Sequence, residues 1–418
     1  MHTLLLAAVL LAPQQPTHAE PDIVVRAARM LDVANARYVA APQITIRGRT
    51  IVKVETNAAA APAGVVVVDL GDKTLLPGLV DAHTHMSLSL EGDWRNRDVH
   101  EGPPDAALRA AKNAHTTLRA GFTTVRDLGS SDFVDVALMH AIERGDFEGP
   151  EIFPAGNAIG ITGGHADATG FRPGLLPQGP AEGIADGPDE CVKAVRTQIK
   201  YGAKVIKVMA TAGVLSFEES VGAQQLSDAE LRAIVEEAAR HGLRVAAHAH
   251  GTDGIKAAVN AGVASIEHGS LLDDEAIALM KSKGTYLVPT AYLRDQIDLD
   301  ALPGVTQRKA RWLFPLAQKS LEKAIAGGVK IAFGTDAGVY PHGQNAREFA
   351  VLVRAGMKPA DAIRAATLSA CDLLGVTDRG EIAAGKLADL IAVTGDPLAD
   401  VRVLERVEWV MHWGRVVP

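Results

Sequence analysis

The stretch Ser227-Asp228-Ala229-Glu230-Leu231-Arg232-Ala233-Ile234-Val235-Glu236-Glu237-Ala238-Ala239-Arg240-His241-Gly242-Leu243-Arg244-Val245-Ala246-Ala247-His248-Ala249-His250-Gly251 reads as one helix followed at once by one strand. Leu231, Ile234, Val235, Ala238 and Ala239 fall on a single face at helical spacing. Ser227 and Glu230, three residues apart, form a capping box, and Gly242 supplies the stop. The spacing therefore predicts a helix over 228–241. The apolar run after it predicts a strand that ends in two histidines.

Outward from this unit the same alternation repeats. Apolar strand candidates begin near Leu79, Thr123, Ile152, Val205, Arg244, Ala264, Tyr286 and Ile331, eight in all. Helical segments lie between them, and Pro359 opens one that carries Ile363 and Leu368. Eight strands alternating with helices over roughly 300 residues predict an α/β chain folded as a (β/α)8 TIM barrel. The stretch Gly156 to Asp189 breaks the pattern, being rich in Gly and Pro. A loop that long in a compact domain is usually a lid or a binding loop. Outside the alternation the texture changes to short strands and turns: Ile23 to Val25, Gln43 to Arg47, Thr50 to Val54 and Val65 to Asp69 before it, Asp389 to Val393 and Val407 to His412 after it.

Of 418 residues, 47% are hydrophobic and 22% charged, enough for a full core without disulfide or metal staples. A net charge of -8 offers no basic surface to a nucleic acid or an anionic membrane, so neither is expected as a partner. Cys191 and Cys371 are the only cysteines, which excludes a disulfide scaffold. At the N-terminus, Leu4 to Ala12 is unbroken and apolar, and Thr17-His18-Ala19 ends in a small residue. Such a run is too short to span a bilayer and predicts a signal peptide over 1–19, with a periplasmic or secreted mature chain. No Lys or Arg precedes the run, so an N-terminal extension is the alternative.

Chemistry-bearing side chains gather at strand ends. His83 and His85 close the first strand, in Leu79-Val80-Asp81-Ala82-His83-Thr84-His85. Residues two apart on a strand share a face, so both imidazoles can reach one ion. Lys207 interrupts the apolar run Val205-Ile206-Lys207-Val208-Met209. An ammonium buried there must be neutralised, paired or modified. Burial lowers its pKa; the neutral amine can take up carbon dioxide, and the carbamate suits a bridge between two divalent cations. A lysine snorkelling from the strand end is the bland alternative. His248 and His250 end another strand, His268 the next, and Asp336 the last. Each alone could be a satisfied core polar group. Five strand ends at the C-terminal side of one barrel, where barrel active sites lie, make coincidence a poor account.

These motifs, with Leu76-Pro77-Gly78 ahead of the first strand, Ile266-Glu267-His268-Gly269 and Gly334-Thr335-Asp336, resemble the metal-dependent amidohydrolase superfamily. The branch is the imidazolonepropionase-like and Xaa-Pro dipeptidase (prolidase-like) group, which includes ochratoxin-hydrolysing amidohydrolases. The resemblance covers nearly the whole mature chain. With the signal peptide (1–19) set aside, it implies a small β-sandwich built from both chain ends (20–77 and 384–418) and a metal-dependent hydrolase barrel (78–383).

The resemblance also implies a ligand set. His83, His85 and Asp336 would hold one divalent metal ion, His248 and His268 a second, and Lys207, as N6-carboxylysine, would bridge them. His248 is preferred to His250 because it stands where relatives with one histidine carry it. Histidine and carboxylate donors suit zinc first, and manganese or cobalt as well. A bridging hydroxide would attack the scissile carbonyl, with Asp336 relaying the proton to the leaving amine. His165, on the long loop, and His250 would grip the substrate or its developing oxyanion. Tyr292 and Arg294, after the seventh strand, are candidate readers of a substrate carboxylate; a rim residue is the alternative for both, and the preferred reading of Arg294.

The expected substrate is a small-molecule amide beside a free carboxylate: a dipeptide, an N-acyl amino acid or an ochratoxin-type compound. A cyclic amide or imide hydrolase, or a lactonase, is the alternative. A catalytically inactive barrel scaffold is the reading outside enzymes, and it sits badly with six filled ligand positions. A homo-oligomer is expected from the same resemblance.

Overall fold

The quoted unit folds as read. In the computed structural model, which describes residues 22–57 and 64–418, a helix spans Asp228–Arg240 and a strand Val245–Ala249. The Glu230 N–H donates to Ser227 Oγ at 3.4 Å and the Ser227 N–H to Glu230 Oε2 at 2.7 Å, so both bonds of the capping box form. The predicted signal peptide lies outside the described residues.

Parallel strands run Leu79–Thr84, Phe122–Asp127, Glu151–Pro154, Ile206–Met209, Val245–Ala249, Ser265–His268 and Tyr286–Val288. The first three pair in order, as do the last four. Two junctions close the ring. Lys204 N donates to Pro154 O and Ile159 N to Lys207 O, which joins the third strand to the fourth. The eighth stave is a run of isolated contacts: Ile331 bridges Leu287, Ala82 N donates to Phe333 O, and Ala337 bridges Thr84. This is a (β/α)8 TIM barrel, with its active-site mouth expected where the strands end.

Both chain ends meet beside it. A four-stranded sheet orders Thr50–Thr56, Pro42–Arg47, Ile23–Arg26 and Val66–Asp69. A six-stranded sheet orders Arg415–Val416, Trp409–His412, Leu390–Val393, Thr74–Pro77, Arg29–Asp32 and Arg37–Ala40. Val25, Ile44, Ile46, Ile51, Leu75, Leu390 and Met411 form an apolar cluster of their own. The strand Thr74–Pro77 pairs antiparallel with Leu390–Val393 and then runs straight into the first barrel strand. That short tether fixes the small β-sandwich against the barrel. Four of its strands, Arg29–Asp32, Arg37–Ala40, Thr74–Pro77 and Arg415–Val416, are additions to the sequence reading.

Candidate active site

Strand register brings the predicted residues to one level. Met209 pairs with His248 and Ala249 with His268, so Lys207, opposite Ala246, stands two residue pairs below His248. Above them opens a cavity of about 620 Å³ lined by His83, His85, His165, Lys207, His248, His250, His268 and Asp336 among others.

One side of this cluster is built on charge. His83 Nδ1 lies 2.8 Å from Glu267 Oε2, and Glu267 Oε1 lies 2.9 Å from Arg126 Nη2, all buried. Burial alone would raise the Glu267 carboxyl, but Arg126 and then His83 hold it down to about 2. A carboxylate there makes His83 Nδ1 the donor and leaves Nε2 a free lone pair. His85 Nδ1 donates to the Gly129 carbonyl at 3.1 Å, which frees its Nε2 as well. Both Nε2 atoms face Asp336 Oδ1, at 3.5 Å for His83 and 3.2 Å for His85. Burial would raise the Asp336 carboxyl, but His83 and His85 lower it. Two lone pairs and an anionic oxygen converge stably only around a shared cation. A proton on His85 can play that part, since Asp336 raises its pKa although burial opposes this. A metal ion fits the same three donors.

Behind them, Asp81 ties the first and eighth strands together. Its buried carboxyl accepts from His83 N, Thr335 N, Thr335 Oγ1 at 2.6 Å and Asn345 Nδ2 at 2.8 Å.

The other side is built on imidazoles and hydroxyls. His248 lies 4.8 Å from His268 and 4.6 Å from His250, centroid to centroid. His268 Nδ1 bonds Thr290 Oγ1 and His250 Nδ1 bonds Ser270 Oγ, each at 2.7 Å. His248 Nε2 is buried without a hydrogen-bond partner, the mark of a donor atom meant for something else. Burial, then the neighbouring imidazoles, push His248 and His268 well below the usual histidine range. Burial first and His165 second bring His250 to about 3. These rings are neutral at pH 7, the form that binds metals.

Adjacent strand residues face opposite sides, yet Glu267 and His268 serve the same mouth. The left-handed φ of 72° at His268 re-aims its ring; Asp336, at 62°, is turned in the same way. Two groups have ligand atoms within 4.8 Å of one another: His83, His268 and Asp336, and His248, His250 and His268. Lys207 is 1% exposed. Burial lowers its ammonium to about 8 against the opposing charges of Glu267 and Asp336, and no hydrogen bond contributes.

His165 reaches this cluster from the long loop. Its ring lies 4.4 Å from that of His248 and its Nδ1 2.8 Å from Ser216 Oγ. A Cβ at residue 213 would stand 2.1 Å from the ring, so only Gly213 lets the imidazole lie down there. The loop that carries Gly213 and Ser216 is held by Lys309, whose buried Nζ donates to the carbonyls of Gly213, Ser216 and Glu218 at 2.8, 2.8 and 2.9 Å. Sequence reading passed over both Glu267 and Lys309. Signals existed: an acid inside a buried strand, and a lysine on the helical face that carries Thr306, Ala310 and Leu313.

Tyr292 is a correction. After the seventh strand, Thr290 takes a left-handed φ of 46°, and the Glu348 carboxyl accepts from Ala291 N at 2.9 Å and Tyr292 N at 2.6 Å. The chain turns, Tyr292 packs edge-on to Tyr340, and its hydroxyl accepts from Arg347 Nη1 at 2.7 Å. It lies in the core, away from the cavity, whereas Arg294, read as a rim residue, lines the wall.

Comparison with known proteins agrees with this architecture. The amidohydrolase family model matches residues 74–417. The ochratoxinase of Aspergillus niger is 37% identical over 362 residues, covering 81% of this chain and 74% of that protein. A Xaa-Pro dipeptidase with methionine bound in its active site superposes with a TM-score of 0.89 at 38% identity, covering 95% of this chain and 99% of the other. A prolidase complexed with N-methylphosphonate-L-proline gives 0.88 at 32%, with the same coverage. The chain belongs to the amidohydrolase family and is a hydrolase of amide or peptide bonds.

Proposed function

We propose that the chain is a binuclear metal-dependent amidohydrolase that cleaves an amide next to a free carboxylate, in a dipeptide, an N-acyl amino acid or an ochratoxin-type molecule. The observation that carries the metal centre is Lys207, a buried amine on the cavity wall whose charge acts on His83 and His85 and on His248 and His268 alike, with no acid bonded to it. Its neutral form attacks carbon dioxide and releases one proton, and the resulting N6-carboxylysine brings an anion to the junction. His83, His85 and Asp336 would hold one ion, His248 and His268 the other, with zinc the first choice. Bound there, such ions polarise the scissile carbonyl and acidify the attacking water.

The chain's own residues do the rest. Asp336 takes the water's proton on a carboxylate oxygen and passes it to the leaving amine. His165, which burial above all lowers to about 4, is a neutral ring at pH 7. It and His250 stand where they can donate to the carbonyl oxygen as negative charge develops. The long loop and Lys309 keep His165 in place and limit water at the mouth. Export as a periplasmic or secreted enzyme accompanies this reading, on the strength of residues 4–19.

The names of the relatives support the substrate class: a dipeptidase, a prolidase and an ochratoxinase. A screen of the metal-loaded protein against dipeptides, N-acyl amino acids, ochratoxin, cyclic imides and lactones tests it. Turnover is expected for the first three groups. Preference for imides or lactones would replace this reading with the alternative.

A further inference from the structure

The segment that follows the first barrel strand carries His85, and its backbone is held from several sides. His85 N donates to Ala337 O at 2.8 Å and Met86 N to Asp127 Oδ2 at 2.6 Å. The carbonyls of His85, Met86 and Ser87 each accept from a side chain: His342 Nε2 at 3.2 Å, Asn113 Nδ2 at 2.8 Å and Arg109 Nε at 2.7 Å. A side chain tied to a carbonyl gives up rotamer freedom, and here three successive carbonyls take one each.

Two of these donors, and the support of the third, stand on one helix face. Arg109, Asn113 and Thr117 lie four residues apart along Pro103–Arg119, the spacing that stacks side chains one above another. Thr117 is buried, and its Oγ1 lies 2.9 Å from His342 Nδ1. A carbonyl only accepts, so the proton at His342 sits on Nε2. No carboxylate bonds this ring, so it is neutral and its Nδ1 is a bare lone pair, which the Thr117 hydroxyl satisfies as donor. The hydroxyl thus fixes the tautomer that reaches His85. Packing the helix does not require this stripe, because Ala110, Ala114 and Leu118 already bury an apolar face beside it.

His342 belongs to the loop that begins at Asp336. Through Ala337 O and His342 Nε2 that loop grips His85 at both its N–H and its carbonyl, while the His85 ring faces Asp336 Oδ1 at 3.2 Å. We propose that Asn113, Thr117 and His342 are positioning residues, which hold the His85 peptide so that its imidazole meets the ion shared with His83 and Asp336. The assignment rests on the proposed metal centre. It separates the two ions, because the bonds of the stripe end at His85, Met86 and Ser87.

The test measures zinc affinity of the full-length protein by chelator competition in bicarbonate buffer. Beside it stand kcat and KM for the best-cleaved substrate and the urea midpoint of the metal-free protein. Wild type should bind two ions per chain. His342→Leu, which neither donates nor accepts, should weaken one of them by about 10-fold or more and leave KM within about threefold. Thr117→Val, which deprives the ring of its donor, should weaken the same ion by a smaller factor. His342→Gln, whose amide still donates to the His85 carbonyl, should restore most of the affinity. A merely structural role lowers the urea midpoint without moving zinc affinity. That outcome in a folded His342→Leu overturns the proposal and leaves the proposed function standing. If the leucine variant does not fold, Thr117→Val decides, and unchanged zinc affinity in it overturns the proposal. Fewer than one ion per wild-type chain overturns the proposed metal centre and this assignment with it.

Discussion

Around Asp336 the histidines lean on charge and backbone: His83 on the Glu267 carboxylate, His85 on the Gly129 carbonyl. Around His248 they lean on hydroxyls, Thr290 for His268 and Ser270 for His250, and His248 Nε2 has no partner at all. The first half brings its own anion. The group His248, His250 and His268 contains no carboxylate. If each half holds a metal ion as proposed, the two therefore differ in what they lack. The first needs only a cation, while the second also needs negative charge, and Lys207 stands at the junction where a carbamate would supply it. Such a carbamate would account for a lysine, rather than a fifth apolar residue or an acid, within Val205–Met209: an acid fixed there would be anionic without carbon dioxide, but its shorter side chain would reach less far.

The largest effect tests the charged half. Asp336→Asn keeps the shape and loses the proton acceptor, so kcat should fall about 10³-fold with the fold intact. Near-normal turnover would remove Asp336 from proton transfer. Glu267→Gln should come next. Loss of the carboxylate behind His83 should weaken metal binding by about 10–100-fold, whereas Thr290→Val, the matching change behind His268, should cost less than about tenfold because a neutral hydroxyl is lost. Equal losses at the two positions would erase the distinction between the halves.

Glu267 also carries a pH signature. Its folded carboxyl is held at about 2, below the ordinary 4.5. The unfolded chain thus binds the proton first, and this stabilisation is present above pH 4.5 and lost as the pH falls towards 2. Urea melts should show a shallower acid slope in Glu267→Gln than in wild type. The smallest effect belongs to the loop. Lys309→Met frees the carbonyls of Gly213, Ser216 and Glu218, and should raise KM several-fold with little change in metal content. An unchanged KM would mean that His165 holds its place without the clamp.

Much of this arrangement was legible in the sequence, and the reason is periodicity. A strand that alternates inside a barrel puts His83 and His85, or His248 and His250, at one mouth, so pattern and position were enough. Eight strand starts could be read because helical segments or Gly- and Pro-rich stretches separate the apolar runs. What escaped depended on distant partners or on single backbone angles. Glu267 meets His83 across 184 residues of chain, and Lys309 meets Gly213 across 96. Tyr292 misses the cavity because Thr290 adopts a left-handed conformation that no spacing rule announces. Arg29–Asp32 and Thr74–Pro77 went unread although strands as short as Leu390–Val393 were read: Arg-Met-Leu-Asp and Thr-Leu-Leu-Pro each hold one apolar pair with no alternation, and the second ends in proline.

The central claim is that Lys207 joins two unequal metal-binding halves into one centre. Metal content per folded chain, measured for wild type and Lys207→Ala after loading with zinc in bicarbonate buffer, tests it most directly. The account predicts two ions per wild-type chain and no more than one in Lys207→Ala, the loss falling on the carboxylate-free histidine half. Two ions per chain in the alanine variant, or fewer than one in wild type, would contradict it.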